Sequence, residues 1–69
     1  MTKTEVIQFF GSLSATARAL NIKQPSVSKW NEYPPASRQM QVQIITGGKL
    51  KAEPWAFDEL LGTKAKEVA

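Results

Sequence analysis

The sequence contains neither cysteine nor histidine. Without cysteine the chain can form no disulfide and no thiolate zinc site, and without histidine it lacks the commonest metal ligand and general base. The six acidic residues are scattered along the chain, and no glycine-rich phosphate loop is present. We therefore expect a protein with no catalytic residues, no cofactor and no metal.

Long apolar runs are also missing from the sequence. No stretch approaches the roughly 18 consecutive apolar residues that a membrane span needs, and the N-terminus has no apolar signal-peptide core. A chain of 69 residues has room for one domain with a small core. These observations predict a soluble cytoplasmic protein, stabilised by its apolar core alone or with the help of dimerisation.

The formal net charge of +3 is unevenly distributed along the chain. Residues 1–31 carry four basic side chains against one acidic side chain, whereas residues 54–61 carry only Asp58 and Glu59. A basic N-terminal half is what the neutralisation of phosphates requires, but a modest basic excess is also common on ordinary soluble domains. Charge alone therefore does not identify a nucleic-acid partner.

A first helix is predicted from the beginning of the chain. Thr2 and Glu5 have the spacing of a capping box, and Gly11 is a natural C-terminal stop. Between them lies an apolar stripe made of Val6, Ile7, Phe9 and Phe10.

A second helix follows directly. Ser12 or Ser14 can cap its N-terminus, and Leu13, Ala17 and Leu20 fall on one face, which we expect to be buried. Ala17 is a small residue at the point where this helix must approach the next one closely.

Residues 16–30 are the most informative segment, because they predict two short helices joined by a tight turn. Asn21 lies where the backbone needs the left-handed region, which Asn and Gly tolerate best. Pro25 falls in the first turn of the third helix, where a missing N–H costs nothing. This helix is predicted to run to about residue 31 or 32. The apolar residues that pack it against the second helix are Ile22, Val27 and Trp30.

Four side chains share the opposite face of the third helix. Gln24 and Ser28 are four residues apart, as are Pro25 and Lys29, and we call these four the recognition face. In a major groove, Gln can bind adenine, Lys can bind guanine, Ser can bind a base or a phosphate, and Pro can contact a thymine methyl. The competing interpretation is an ordinary solvated helix face.

Further side chains around the two helices are candidates for phosphate contacts. Ser14 lies near the start of the second helix, where backbone N–H groups can also face a phosphate. A single basic residue on a surface is, however, usually just hydrated. The candidate residues are Ser14, Arg18, Lys23, Ser26, Asn31 and Arg38.

The second half of the chain supports two structures. Residues 39–44 alternate polar and apolar, residues 47–48 are Gly-Gly, and residues 49–52 alternate again, so the local pattern favours a β-hairpin over residues 39–52. Pro35 is nevertheless well placed to begin a helix, and Gly47 to end one at Thr46. The pattern alone leaves both open.

The chain closes with an apolar cluster. Residues 54–61 predict a short helix that ends before Gly62, and residues 63–69 are expected to form a flexible tail. A domain of this size cannot easily bury two further large aromatic rings, and exposed apolar patches mark interfaces. We therefore consider a homodimer contact, with closure of the monomer core as the equal alternative. The residues concerned are Leu50, Trp55, Phe57 and Leu60.

Several short segments together match the pattern of one family, and they are Val6-Ile7, Phe10-Gly11, residues 17–22, residues 27–30, Pro35 and residues 44–50. Through these segments the chain resembles the Cro repressors of lambdoid phages, particularly the short members of that family. Asn21 departs from the glycine that is usual at the turn, and Pro25 removes a side-chain donor from the recognition face.

The resemblance implies both a fold and a function. Cro proteins have either an all-helical C-terminal half or one that ends in a β-hairpin, and residues 44–48 align without gaps with the helical branch. We therefore expect an all-α, compact five-helix domain over residues 1–62, with the α+β type as the alternative.

The implied function is that of a transcriptional repressor in a bacterial host cell. It would bind an inverted-repeat operator in double-stranded DNA as a homodimer that forms in solution or on the DNA. The alternative is a small helical module that binds another protein and has no sequence-specific affinity for DNA.

Overall fold

The computed structural model describes residues 1–61, so Gly62 and the predicted flexible tail lie outside the described residues. Within this range five helices follow one another: α1 (Lys3–Phe10), α2 (Leu13–Leu20), α3 (Gln24–Ser28), α4 (Ala36–Ile45) and α5 (Pro54–Leu61). Residues 1–61 contain no strand. The all-α prediction is therefore confirmed, and the β-hairpin over residues 39–52 is wrong.

The helices fall into two compact units. The first unit, Met1–Pro34, contains α1, α2 and α3, and the second unit begins at Pro35 and contains α4 and α5. Within the first unit α2 packs against both α1 and α3, and within the second unit α4 packs against α5.

The predicted capping box begins α1. The backbone N–H of Glu5 donates to Thr2 Oγ1 (3.1 Å), and the backbone N–H of Thr2 donates to Glu5 Oε1 (2.8 Å). At the other end Gly11 has a φ of 107° and donates its N–H to the carbonyl of Ile7 (2.8 Å). Val6 is fully buried, so this short helix is fixed at both ends and along one side.

Two glutamines explain why residues 39–44 form a helix despite their strand-like alternation. Gln39 is fully buried, and its Oε1 accepts a hydrogen bond from the backbone N–H of Glu53 (2.9 Å). One turn later, Gln43 Oε1 accepts from the backbone N–H of Ala52 (2.8 Å). These polar residues therefore face the segment that leads into α5 and bind it, which the alternation of polar and apolar residues does not indicate.

A glycine pair ends α4. Thr46 is the C-cap, and Gly47 and Gly48 follow with φ of 66° and 86°, which is the left-handed region where residues other than glycine are strained. The buried Thr46 hydroxyl also accepts a hydrogen bond from the backbone N–H of Leu50 (3.2 Å). The chain can therefore reverse at once and return along α4.

Small side chains form the core of the second unit. Ala36, Ala52 and Ala56 are buried together, and Met40 and Phe57 pack against them from the side. Alanines at these places let α5 approach α4 closely while the two larger side chains fill the edge of the core.

Replacement of Gln39 tests whether the glutamine pair specifies the fold of the second unit. We expect Gln39→Ala to lower the free energy of unfolding by about 1–3 kcal/mol, because it removes the acceptor of a part-buried backbone N–H. Urea titration followed by circular dichroism measures the change. The matched control is Gln41→Ala, because Gln41 Oε1 accepts from the Arg38 side chain (2.6 Å), which can turn to water instead. An equal loss in both variants would contradict this role of Gln39.

Candidate nucleic-acid interface

Ser12, and not Ser14, caps the N-terminus of α2. The backbone N–H of Ala15 donates to Ser12 Oγ (3.0 Å), and the hydroxyl of Thr16 donates to the carbonyl of Ser12 (2.8 Å). Thr16 is fully buried, which the sequence pattern did not indicate. Its burial is possible because this hydrogen bond satisfies the hydroxyl group. Ser14 therefore remains exposed in the first turn of α2.

Asn21 makes the turn between α2 and α3. Its φ of 57° and ψ of 46° lie in the left-handed region, as predicted, and Asn21 is the one residue other than glycine with positive φ among residues 1–61. Its N–H donates to the carbonyl of Arg18 (3.1 Å), and the N–H of Ile22 donates to the carbonyl of Ala17 (2.9 Å). The turn therefore satisfies the last carbonyls of α2 and directs the chain into α3.

The third helix buries one side and exposes the other. Val27 is fully buried and Trp30 is 9% exposed, whereas Ile22 is half-buried. The four residues of the recognition face, Gln24, Pro25, Ser28 and Lys29, are all exposed. Their side chains are therefore accessible to a macromolecule, whereas Trp30 is buried.

The third helix is shorter than predicted, because it ends at Ser28 and not at residue 31 or 32. The ammonium group of Lys3 donates to the carbonyl of Ser28 (3.0 Å) and to that of Trp30 (3.4 Å). In a longer helix the Ser28 carbonyl would instead accept from the backbone N–H four residues later. A side chain of α1 thus takes the place of the next helical turn.

Lys29 keeps its place beside Pro25 although it lies just beyond the helix. Its backbone remains in the right-handed region, with φ of −80° and ψ of −7°, and its N–H donates to the carbonyl of Pro25 (3.0 Å). The spacing that defined the recognition face therefore survives the early end of α3.

Five of the six candidate phosphate contacts are exposed in the first unit. Arg38 differs from them, because it lies half-buried on α4 of the second unit and donates from Nη1 to Gln41 Oε1 (2.6 Å). The five exposed residues are Ser14, Arg18, Lys23, Ser26 and Asn31.

The four residues considered for a dimer contact are exposed to different degrees. Trp55 and Leu60 are each 42% exposed, whereas Leu50 is half-buried and Phe57 packs against the alanine core. The end of α4 also exposes two isoleucines, Ile44 (74%) and Ile45 (46%), which were not among these four residues.

The chemistry available at the recognition face is that of binding. It offers an amide, a hydroxyl and an ammonium group, with Arg18 and Lys23 exposed nearby in sequence. Among residues 1–61 there is no cluster of three metal-ligating side chains, and no helix in that range is long and apolar enough to cross a bilayer. Donors grouped on an accessible helix face suit base edges and phosphates.

Substitution of Asn21 tests the turn. We expect Asn21→Val to lower the free energy of unfolding by about 1–2 kcal/mol, because a β-branched residue is strained at a φ of 57°. The control is Asn21→Gly, which suits the same backbone geometry and should fold at least as stably as the parent. Thermal and urea unfolding measure both variants. If Asn21→Val were as stable as Asn21→Gly, the turn would not depend on the left-handed conformation.

Comparison with known proteins agrees with this geometry. The family model described as "DNA-binding transcriptional regulator Cro" matches residues 2–60. The "Regulatory protein cro" of Salmonella phage P22 is 39% identical over 57 residues, which cover 83% of this chain and 93% of that protein. The "Repressor protein of division inhibition gene dicB" of Escherichia coli (strain K12) is 35% identical over 65 residues, covering 93% of this chain and 86% of that protein.

No solved structure gives a significant match to the chain. The family match nevertheless spans α1, both helices of the turn motif, α4 and nearly all of α5. The chain therefore belongs to the P22 Cro family of helix-turn-helix DNA-binding transcriptional regulators.

Proposed function

We propose that this protein represses transcription by binding an inverted-repeat operator in double-stranded DNA as a homodimer, with α3 of each protomer in the major groove. The observation that carries the proposal is the exposure of the whole recognition face, while Val27 of the same helix is buried and Trp30 is buried just beyond its end. Two named relatives support it, since one is a phage Cro protein and the other a repressor. The proposed site is a binding surface and has no catalytic part.

Base recognition is assigned to the recognition face. Gln24 offers both a donor and an acceptor to adenine, and Lys29 donates to guanine. Ser28 lies beside Gln24 and serves either a base or a phosphate. Pro25 has no polar group on its side chain, so its contact is apolar, with a thymine methyl as the matching group.

Phosphate contacts would position α3 over the bases. We assign them to Ser14, Arg18, Lys23, Ser26 and Asn31 of the first unit and to Arg38 of the second. Each contact releases condensed counterions, so the logarithm of the affinity should fall by about 0.9 per contact for each tenfold rise in salt.

A dimer would present two copies of α3 to half-sites one helical turn apart, about 34–36 Å. We assign the contact to Trp55 and Leu60, with the exposed parts of Leu50 and Phe57 at its edge. The operator is bacterial or phage DNA, so we place the protein in the cytoplasm of the host cell.

Selection from a pool of random duplexes at near-physiological salt tests the function as a whole. Purified protein is incubated with the pool, and the bound DNA is recovered and sequenced. We expect an enriched inverted repeat with half-sites about one turn apart. Enrichment of a single half-site would be consistent with DNA binding through the helix-turn-helix but would contradict the dimer. An absence of enrichment would contradict sequence-specific binding and favour the protein-binding alternative.

Replacement of Lys29 tests the base contacts. We expect Lys29→Ala to weaken operator binding by about 1–3 kcal/mol and to relax the preference at one base pair, because the donor to that base is lost. Affinities for the selected operator and its single-base variants measure both effects. The control, Lys49→Ala, removes the same charge from an exposed position of the second unit that has no assigned DNA contact. An unchanged sequence preference would contradict the assignment of Lys29 to base recognition.

Substitution of Leu60 tests the dimer. We expect Leu60→Glu to weaken self-association about tenfold or more, because a charge buried in an apolar contact is left unpaired. Sedimentation velocity of the free protein and of its complex with the operator measures self-association. Gln8→Glu adds the same charge to an exposed position of α1 and should leave association unchanged. Wild-type protein that stays monomeric at high concentration in both states would refute the dimer.

A further inference from the structure

Lys3 joins the beginning of the chain to the end of α3. Its ammonium group donates to the carbonyls of Ser28 (3.0 Å) and Trp30 (3.4 Å), and its backbone N–H donates to the carbonyl of Glu32 (2.8 Å). One residue of α1 thus binds three alternate carbonyls of the segment that leaves α3. Positions 3 and 28 are 25 residues apart, so no local pattern in the sequence indicates this contact.

The third helix has few other constraints on its direction. It has only five residues, and its N-cap, Lys23, makes no side-chain hydrogen bond to it. A helix this short has little stability of its own, so its orientation depends on tertiary contacts. Within α3 itself Val27 is the one buried residue, and the next buried side chain, Trp30, lies two residues beyond the end of the helix. The Lys3 contacts to the carbonyls of Ser28 and Trp30 fix the backbone between these two positions.

Lys3 is itself held in place. It is the first residue of α1, directly after the capping-box residue Thr2, and Val6 anchors the same helix in the core. Lys3 is half-buried, and of its two ammonium hydrogen bonds the one to Trp30 is part-buried whereas the one to Ser28 is exposed. The positive charge of the donor strengthens both. Any movement of the end of α3 away from α1 would break these bonds.

We propose that Lys3 is a positioning residue for base recognition, which holds the C-terminal end of α3 so that Ser28 and Lys29 are presented to the bases in one fixed orientation. This inference rests on the proposed function, because it concerns how the recognition face is presented to DNA. Lys3 does not contact the DNA; it acts through the backbone carbonyls of Ser28 and Trp30.

The alternative role for a lysine in a DNA-binding protein is a phosphate contact, and the two roles predict different behaviour. Loss of a phosphate contact weakens binding to every sequence alike and lowers the salt dependence by about 0.9 in the logarithmic slope. Loss of a positioning contact weakens binding to the operator more than to unrelated DNA. It also leaves the slope unchanged, because no counterion release is lost.

The experiment compares Lys3→Met, Lys3→Arg and the control Lys49→Met, all in the full-length chain. Methionine keeps the apolar stem of the lysine and removes the charged donor. Arginine restores a charged donor to the carbonyls. Lys49→Met removes one charge from an exposed site of the second unit. For each variant, affinity is measured for the selected operator and for a scrambled duplex over a range of salt concentrations.

We expect Lys3→Met to bind the operator about tenfold more weakly, the size expected from losing a charged hydrogen bond, while its affinity for scrambled DNA and its salt slope stay unchanged. Lys3→Arg should recover most of the loss, and Lys49→Met should keep the parental ratio of operator to scrambled affinity. If the ratio of operator to scrambled affinity in Lys3→Met equalled that of the parent, the proposal would be overturned. An equal loss of affinity on both duplexes, together with a reduced salt slope, would be this outcome and would indicate a phosphate contact.

A measurement on the wild-type protein decides the matter if Lys3→Met does not fold. The ¹⁵N signal of the Lys3 ammonium group should show slow proton exchange in the free protein and should persist in the complex without coupling to phosphorus. Coupling to a ³¹P nucleus would assign Lys3 to a phosphate and overturn the proposal. Failure of the wild-type protein to select any operator would refute the proposed function, whereas the exchange of Lys3 in the free protein would still report its contact with the carbonyls.

Discussion

The left-handed turn at Asn21 is the constraint on which the first unit of the molecule depends. It ends α2 by satisfying the carbonyls of Arg18 and, through Ile22, of Ala17, and it directs the chain so that Val27 becomes buried. Because burial of Val27 determines which side of α3 faces inward, the turn also determines which side faces outward. The recognition face is therefore a consequence of one backbone conformation, which few residue types tolerate.

The turn alone does not hold a helix of five residues. Along α3 the chain combines Pro25, whose ring restricts φ, with the carbonyl contacts of Lys3 at the far end. The first unit thus fixes the beginning of α3 by backbone geometry, its middle by an apolar side chain and its end by a charged side chain from α1. For the proposed base contacts this rigidity would matter, because misplacement of a donor by about an ångström is enough to lose a hydrogen bond to a base edge.

Local patterns in the sequence predicted much of this structure, and the failures have physical causes. The capping box, the turn at Asn21 and the exposed recognition face all depend on residues close together in the sequence, so spacing was sufficient to predict them. Gln39 and Gln43 misled the periodicity argument because their amides bind backbone groups 14 and 9 residues away, and the family resemblance was needed to choose the helix. The end of α3 at Ser28 was missed because Lys3 is distant in sequence.

The shortness of α3 limits how much sequence information one protomer can extract from DNA. Five helical residues rise about 7.5 Å along the axis, which is close to the length of two stacked base pairs. So short a DNA sequence occurs by chance throughout any genome, and a lone protomer would be bound mostly at sites other than the operator. In the proposed dimer, the missing specificity would come from two short sites at a fixed separation and from the bendability of the DNA between them, so that the pair of protomers, and not the single chain, would read the operator.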